Sequence, residues 1–346
     1  MDISNYHINK TLNEMFYELD KASPIYQPSK FWRDLNKIHI EQLSTEGLDN
    51  FKRSINMKYF NWDIFGIIRH QLRSMFAELF RGNFRPLFRS KFINRRNTVR
   101  GLKNFNFFSA AIYNIYVAFL FDYVSRGDKL GILGKIEEPM IGNPFIIKCK
   151  DRLISQDLCN SVHEFYSIVD GVKDKKNYSV AEIGAGYGRL AHIFLSTLKD
   201  SSYCIIDIPP ALYVAQEYLS RIFPGEKIFY FRPFESFTEI KEEFEASRIR
   251  FIMAHQIKKI PTKYFNVVVS ISSFHEMTRE QIKNYFNQID RTCKDCFYTK
   301  QWRKSRTKDN AYIKENEYSV PANWQILYER RHPIQRMFFE ALYKIG

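Results

Sequence analysis

Val180-Ala181-Glu182-Ile183-Gly184-Ala185-Gly186-Tyr187-Gly188-Arg189 is the stretch on which the reading of this chain turns. A short apolar run, 178–183, passes an acid, enters a loop with glycine at 184, 186 and 188, and continues into an amphipathic segment, 190–198. Strand, glycine loop and helix in that order form the first unit of a parallel α/β sheet. Glycine opens backbone conformations closed to other residues and removes side chains where a ligand must lie against the loop. The spacing is G-x-G-x-G with Glu182 two residues ahead, not the G-x-G-x-x-G of a dinucleotide site. A tight strand-to-helix turn without a ligand gives the same three glycines, so a second feature has to separate the two readings.

That feature is the next apolar run, Tyr203-Cys204-Ile205-Ile206, which ends at Asp207. An acid at the carboxyl end of a second strand can accept hydrogen bonds from both ribose hydroxyls of an adenosine, and dinucleotide sites place one about 20 residues on for this reason. Here Asp207 lies 21 residues beyond Gly186. The two features together predict a nucleoside-bearing ligand.

The chain has 346 residues, long for one simple core, and suggests a catalytic domain with one elaboration. Its 45% hydrophobic and 16% aromatic content supports a packed interior and excludes wholesale disorder. Residues 1–7 carry no basic segment followed by an apolar run, so no signal peptide is expected. Five cysteines do not form a secreted disulfide framework, and the lone Cys293-Lys-Asp-Cys296 reads as buried thiols rather than a zinc or redox pair. No cluster of acids and histidines has convincing metal spacing, so no metal is expected.

The periodicity divides the chain near residue 150. Segments 9–19, 29–46, 62–82 and 105–126 have helical apolar spacing, with Gly82, Pro86 and Gly127 as breaks. No convincing strand alternation occurs there, and 127–150 reads as a linker. Residues 1–150 are therefore expected to form a helical domain on the substrate side. Ser155 is placed to cap the next helix, and from 178 onward strands and helices alternate, so 151–346 forms the catalytic domain. Residues 105–124 are nearly long and apolar enough to span a bilayer. Asn114 would then sit near its centre, which favours a helix buried in the domain or at a subunit contact over a membrane span.

The net charge of +14 is unevenly spread: between Arg69 and Lys103 there are ten Lys or Arg residues and one acid, Glu78. Such a segment, including Arg95 and Arg96, attracts phosphate on a nucleotide-sugar, RNA or an anionic lipid surface, or it is simply a solvated face. No RNA-recognition signature accompanies it.

The chemistry is expected after the β-branched run 264–270, which ends in Ile271-Ser272-Ser273-Phe274-His275-Glu276-Met277. Thr278 with Gln281 makes a capping box for the following helix. Ligands of open α/β sheets gather at the carboxyl ends of strands, which is where His275 stands. An alcohol is too weak an acid to act as a nucleophile unaided at neutral pH; a neutral imidazole can take its proton, contributing about 10²–10⁴-fold in rate. Glu276 is placed to orient that ring. With an unperturbed imidazole, activity should rise through a pH of roughly 6.5. The alternative is a histidine that caps the next helix or packs under the loop.

The glycine loop resembles the first motif of class I S-adenosylmethionine (SAM) methyltransferases. Segments 182–190 (EIGAGYGRL), 207–213 (DIPPALY), 271–277 (ISSFHEM) and 300–302 (KQW), taken in order, resemble the sugar O-methyltransferases, and the likeness extends through 142–144, 160–164 and 338–343. A looser resemblance, to O-methyltransferases of plant phenolics and bacterial polyketides, rests on Asp207-Ile208-Pro209 and His275-Glu276. In that comparison His255 stands where those enzymes place an adenine-side aspartate, a departure from their pattern.

The resemblance implies a Rossmann-like, doubly wound α/β sheet with an antiparallel last strand at 337–343 and a mostly helical N-terminal domain. The extra apolar run 228–231 leaves the strand count between the second and fourth strands open. The resemblance implies SAM as cofactor, with Glu182 near its amino group, Gly184, Ala185, Gly186, Gly188 and Arg189 along its length, and Asp207 and Ile208 at the ribose. The Ala254-His255-Gln256 turn is assigned to the adenine, and Ser270 is a further cofactor-binding candidate. Asn160, Glu164, Lys300, Trp302, Arg95 and Arg96 are candidate acceptor-side residues; for Trp302, stacking on a sugar face and plain packing stay open. The expected function is methyl transfer to a hydroxyl of a sugar, nucleotide-sugar or glycan precursor, in the cytoplasm or peripheral to a membrane. The alternatives are methylation of RNA or another polyanion through 69–103, and a SAM-binding partner protein without catalysis.

Overall fold

The computed structural model describes residues 9–53, 64–93, 107–170, 177–306, 312–318 and 320–346. The chain packs into two compact units, one made of 1–40, 168–332 and 337–346, the other of 41–167 and 333–336. This differs from a division at 150. Residues 9–40 belong with the large sheet: Tyr26 lies edge-on to Tyr285 at 6.1 Å in the main core, and Gln281 Nε2 donates to the Gln27 carbonyl at 2.7 Å. Helical periodicity shows which face of a segment is buried, not which core it covers.

Helices α1 (Lys10–Lys21) and α2 (Lys30–Glu46) open the chain. In the smaller unit follow α3 (Ile64–Phe80), α4 (Arg85–Phe88), β1 (Ser90–Ile93), α5 (Phe107–Gly127), α6 (Ile132–Lys135), β2 (Ile146–Cys149), β3 (Arg152–Ile154) and most of α7 (Gln156–Val169). The long helices match the expected ones. The three strands were not expected; they form an antiparallel sheet in the order β1-β2-β3, and runs of three or four residues are too short to show alternation. Ser155 Oγ accepts from Leu158 N at 2.9 Å, the predicted cap. Helix α5 is apolar and long enough to cross a membrane, and ten of its residues are buried within the protein. Its Asn114 Oδ1 accepts from Ser90 Oγ at 2.8 Å, and Asp122 pairs with Arg126 and accepts from Asn83 Nδ2.

The larger unit contains β4 (Ser179–Ile183), α8 (Arg189–Thr197), β5 (Ser202–Asp207), α9 (Ala211–Ile222), β6 (Ile228–Phe229), α10 (Lys241–Ala246), β7 (Ile249–Met253) and β8 (Phe265–Ile271). After these come α11 (Arg279–Thr292), β9 (Cys293–Trp302), β10 (Lys304–Arg306), β11 (Tyr312–Lys314), β12 (Gln325–Arg331) and β13 (Phe338–Lys344). Eight strands form one sheet in the order β12-β13-β9-β8-β4-β5-β7-β6. From β6 to β9 the pairs are parallel, and β13 runs antiparallel between β9 and β12. This is the doubly wound sheet with an antiparallel last strand that the sequence predicts. The 228–231 run resolves as the two-residue edge strand β6. Order reverses between β4 and its neighbours β5 and β8, so the topological switch point lies at the carboxyl ends of those strands. Thr278 and Gln281 form the expected reciprocal cap of α11.

Cys293 and Cys296 lie within β9, both buried. Burial pushes their thiols up to about 12 and about 11, so they stay protonated and inert at neutral pH.

Candidate active site

Three loops meet at the switch point. Gly184, Gly186 and Gly188 all have positive φ, at 74°, 60° and 83°. Each is needed for a different reason. A Cβ on Gly184 would stand 2.2 Å from Ser273 Oγ, so glycine lets the first loop touch the loop after β8. A Cβ on Gly188 would press on Leu219 at 2.9 Å, while at Gly186 it would point into open space. Glycine at 186 therefore leaves room above the backbone rather than room for packing.

Asp207 ends β5 and reaches under that loop. Its Oδ2 accepts from Gly186 N at 2.9 Å, and its Oδ1 from Ile208 N at 2.8 Å. Burial raises its carboxyl to about 7, opposed by the two backbone donors. A carboxylate has about four acceptor sites, so two remain for further donors such as a pair of ribose hydroxyls.

Glu182, placed by the sequence near a ligand amino group, is 3% exposed, and its Oε2 accepts from Tyr203 OH at 2.8 Å. Gln256, assigned to an adenine contact, is occupied by its own turn: Oε1 accepts from Met253 N at 2.8 Å and Nε2 donates to the Arg232 carbonyl at 2.9 Å. His255 beside it is half-buried with Nδ1 lacking a hydrogen-bond partner, and burial lowers its pKa. Ala185 and Ala254 are buried, while Ile208 and Arg189, the first residue of α8, are partly exposed.

His275 follows β8 in a short 3-10 turn, 5% exposed. Ser272, just before it, is held at φ 56°, a conformation uncommon for a residue with a side chain, and its N donates to the Lys300 carbonyl at 2.8 Å. Gln301, fully buried on β9, organises the loop. Its Oε1 accepts from Ser273 N and Phe274 N at 3.1 Å and His275 N at 3.4 Å, while its Nε2 donates to the Ser270 carbonyl at 3.1 Å. Oε1 also stands 3.1 Å from His275 Nδ1. The atom surrounded by backbone N–H groups has to be the oxygen, so Nδ1 carries the proton and Nε2 keeps its lone pair.

The ring is stacked on Trp302, centroids 5.0 Å apart at 20°, with Phe338 edge-on at 6.3 Å. Burial pushes His275 down to about 4, so the ring is neutral at physiological pH; the rise in activity through roughly 6.5 expected of an unperturbed imidazole gives way to that lower value. Glu276 Oε1 lies 3.6 Å from Nε2, too far for a hydrogen bond, and its Oε2 accepts from Trp32 Nε1 at 3.0 Å. Burial raises the Glu276 carboxyl well above the usual range. Lys300 is buried opposite Glu340 in the β9–β13 register, its Nζ 5.2 Å from the Phe338 ring centre. Ser270, also buried, is held by Gln301.

Trp32 and Asn36 join this site from α2. They sit four residues apart, on one face, and Asn36 Nδ2 donates to the Pro209 carbonyl at 3.1 Å. Its Oδ1 is buried without a partner. Asn36 lines a cavity of about 560 Å³ together with Phe16, Leu19, Gln27, Arg33 and Lys37. Sequence reasoning missed Trp32, Asn36 and Gln301. For Gln301 a signal existed, since an amide on the inward side of an apolar strand needs buried partners. For the two α2 residues there was none. Asn160 and Glu164 lie one turn apart on α7 in the smaller unit, both buried. Arg95 and Arg96 lie outside the described residues.

No family model and no curated protein sequence matches this chain. Similar solved structures include the 1,6-didemethyltoxoflavin N1-methyltransferase of Burkholderia thailandensis with 1,6-didemethyltoxoflavin and S-adenosylhomocysteine bound, 13% identical over 55% of this chain and 79% of that one, TM-score 0.38. A SAM-dependent methyltransferase of Aquifex aeolicus is 12% identical over 55% of this chain and 90% of that one, TM-score 0.33. The mitomycin 7-O-methyltransferase MmcR is 11% identical over 51% of this chain and 52% of that one, TM-score 0.35. By its own strand order and its antiparallel last strand, the larger unit has the α/β, Rossmann-like fold of methyltransferases.

Proposed function

We propose that this chain is a SAM-dependent O-methyltransferase whose acceptor is a hydroxyl of a sugar or sugar-containing precursor, with His275 as general base. The observation that carries the reading is the Gln301–His275 contact, which leaves Nε2 unprotonated at the strand end beside the glycine loop. The residues present suit the cofactor: open space above Gly186, and a half-buried carboxylate at Asp207 with acceptor sites to spare. When bound, SAM supplies a methyl group activated by its sulfonium. The protein's part is to bind, orient and deprotonate. Asp207 accepts from ribose hydroxyls, and His275 Nε2 takes the acceptor's proton as its oxygen becomes the nucleophile. Holding that oxygen at attack distance supplies much of the acceleration. Glu276, its Oε1 3.6 Å from Nε2, stabilises the imidazolium that results in so far as the new positive charge draws its raised carboxyl into the ionised form. The sugar assignment rests on the sequence resemblance alone.

Isothermal titration with SAM and S-adenosylhomocysteine, followed by label transfer from methyl-labelled SAM to polysaccharide precursors, tests this. Micromolar binding, about −8 kcal/mol, with label appearing on a sugar is expected. Binding of NAD or ATP with no response to either SAM ligand would sink the reading. Transfer of label to RNA alone would move the acceptor to the polyanion class, and binding without transfer to any acceptor would favour a non-catalytic protein.

A further inference from the structure

We infer that the smaller unit carries a docking surface for an anionic lipid bilayer, built from the end of α3, the turn after it and α4. On α3, Gln71, Met75 and Glu78 are buried, while Arg73, Phe76, Ala77 and Phe80 face outward. The outward face of a helix packed on a soluble protein should be polar, and here it presents two phenylalanines. The pattern continues past the helix. Phe80-Arg81, Phe84-Arg85 and Phe88-Arg89 repeat at intervals of four residues, and all six residues are exposed. Phe80 and Phe88 are 88% and 85% exposed, far more than an apolar ring keeps in water without a use for it.

The charge beside these rings is of one sign. From Arg73 to Lys91 there are five cations, and the single acid, Glu78, is buried and already shared. Its Oε1 is 2.8 Å from Arg81 and its Oε2 is 2.6 Å from Arg126. Arg73, Arg85, Arg89 and Lys91 make no ion pair among the described residues. The segment is held from behind: Ser74 Oγ donates to the Pro333 carbonyl at 3.3 Å, and Ser90 is tied to Asn114 of α5. A fixed row of apolar rings alternating with guanidinium groups, of which those of Arg85 and Arg89 make no ion pair among the described residues, suits the boundary between acyl chains and phosphate headgroups, the rings entering and the cations meeting the phosphates. A single-stranded RNA offers phosphate too, but Asn83, the amide in this row, is committed to Asp122 rather than open to a base edge. The inference is independent of the methyl-transfer reading, because it concerns where the protein sits.

Flotation of the full chain with vesicles tests it without any cofactor. The parent should float with vesicles of equal parts phosphatidylglycerol and phosphatidylcholine and stay behind with phosphatidylcholine alone. Phe80→Ser with Phe88→Ser should lower the bound fraction about tenfold, and Arg85→Glu with Arg89→Glu should abolish it, both keeping the parent's circular dichroism. A parent that does not float with the anionic vesicles overturns the inference, as does a phenylalanine double variant that floats like the parent. Tight poly(U) binding that needs the arginines but not the phenylalanines reassigns the surface to nucleic acid. Concentration-dependent dimers that the phenylalanine variant loses reassign it to a second copy of the chain.

Discussion

Gln301 Oε1 stands 3.1 Å from His275 Nδ1 while accepting from the backbone N–H groups of Ser273 and Phe274. One amide thus fixes both the loop after β8 and the tautomer of the ring that the loop carries. Burial, the larger effect, pushes the ring down to about 4, and the hydrogen bond from the neutral Gln301 amide draws it only part of the way back up.

Replacing that amide by a carboxylate should therefore change the titration more than the geometry. Gln301→Glu keeps an acceptor for Nδ1–H but places a negative charge against the ring, so His275 should titrate well above its parental value, near or above the ordinary 6.5 or so. Gln301→Leu removes the acceptor altogether and should lower kcat while destabilising the loop by about 1–3 kcal/mol for its orphaned donors. Nitrogen-resolved NMR titration of the histidine reads the first effect directly. A His275 titration unmoved by Gln301→Glu would mean the contact does not govern the ring.

His275→Ala and His275→Gln should each lower kcat by about 10²–10⁴-fold with S-adenosylhomocysteine affinity unchanged. For the parent at saturating cofactor, the rate should be level through neutral pH. The neutral ring is the active form and its pKa is depressed, so activity is lost only as pH falls towards about 4. A break near the ordinary histidine value, or near-parental kcat in either variant, would assign the base elsewhere.

The parts legible in the sequence are those with a local signature. Glycines at 184, 186 and 188, Asp207 at a strand end, the Thr278–Gln281 cap and the antiparallel last strand all leave a pattern within a few residues. The contacts that complete the site do not. Trp32 and Glu276 are 244 residues apart, and Asn36 and Pro209 are 173 apart; an amphipathic helix gives no sign of which core it will cover. For the same reason the periodicity places a boundary near residue 150, while the compact units divide after residues 40 and 167. Burial of His275 was also invisible, since its neighbours Trp302 and Phe338 come from β9 and β13.

Cofactor affinity should depend on Asp207 in the opposite pH range. Its carboxylate is the form that accepts from two hydroxyls, and burial raises its pKa to about 7, so affinity should climb as pH rises through 7 and fall below it. The ligand-free fold shows the converse: a raised carboxyl binds its proton more tightly folded than unfolded, so its contribution to stability is present in acid and lost as pH rises through about 7. Asp207→Ala should weaken SAM and S-adenosylhomocysteine alike and remove both dependences. Titration calorimetry across neutral pH checks the first, and thermal melts of the free chain check the second. Affinity independent of pH in this range would separate Asp207 from the ligand.

Gly186→Val tests whether the open space above the loop is where the ligand lies. No protein atom stands within 4 Å of the added Cβ, so the substitution fills a gap that packing does not use, at a φ of 60° that valine resists. The chain should still fold, at a cost of about 1–3 kcal/mol in backbone strain, and lose S-adenosylhomocysteine binding. Gly186→Ala separates the two effects, because it carries most of the strain with little of the bulk. Parental affinity in the valine variant would place the ligand away from this loop.

Trp32 should act on catalysis only through Glu276. Its Nε1–H lowers a carboxyl that burial holds well above the usual range, and Oε1 faces His275 Nε2 at 3.6 Å, so a positive ring and the carboxylate form would favour each other. Trp32→Phe keeps an aromatic ring against Phe31, whose centroid is 5.7 Å away, and removes only the donor. The carboxyl should then become harder to ionise, the imidazolium less well stabilised, and kcat about tenfold lower, as for loss of one hydrogen bond to a charged group. S-adenosylhomocysteine affinity should not change. Glu276→Gln accepts the same hydrogen bond without a charge, so adding Trp32→Phe to it should cost kcat nothing further. If the two losses multiply instead, Trp32 acts on the reaction by a route that does not pass through Glu276, and α2 would have to touch the acceptor itself.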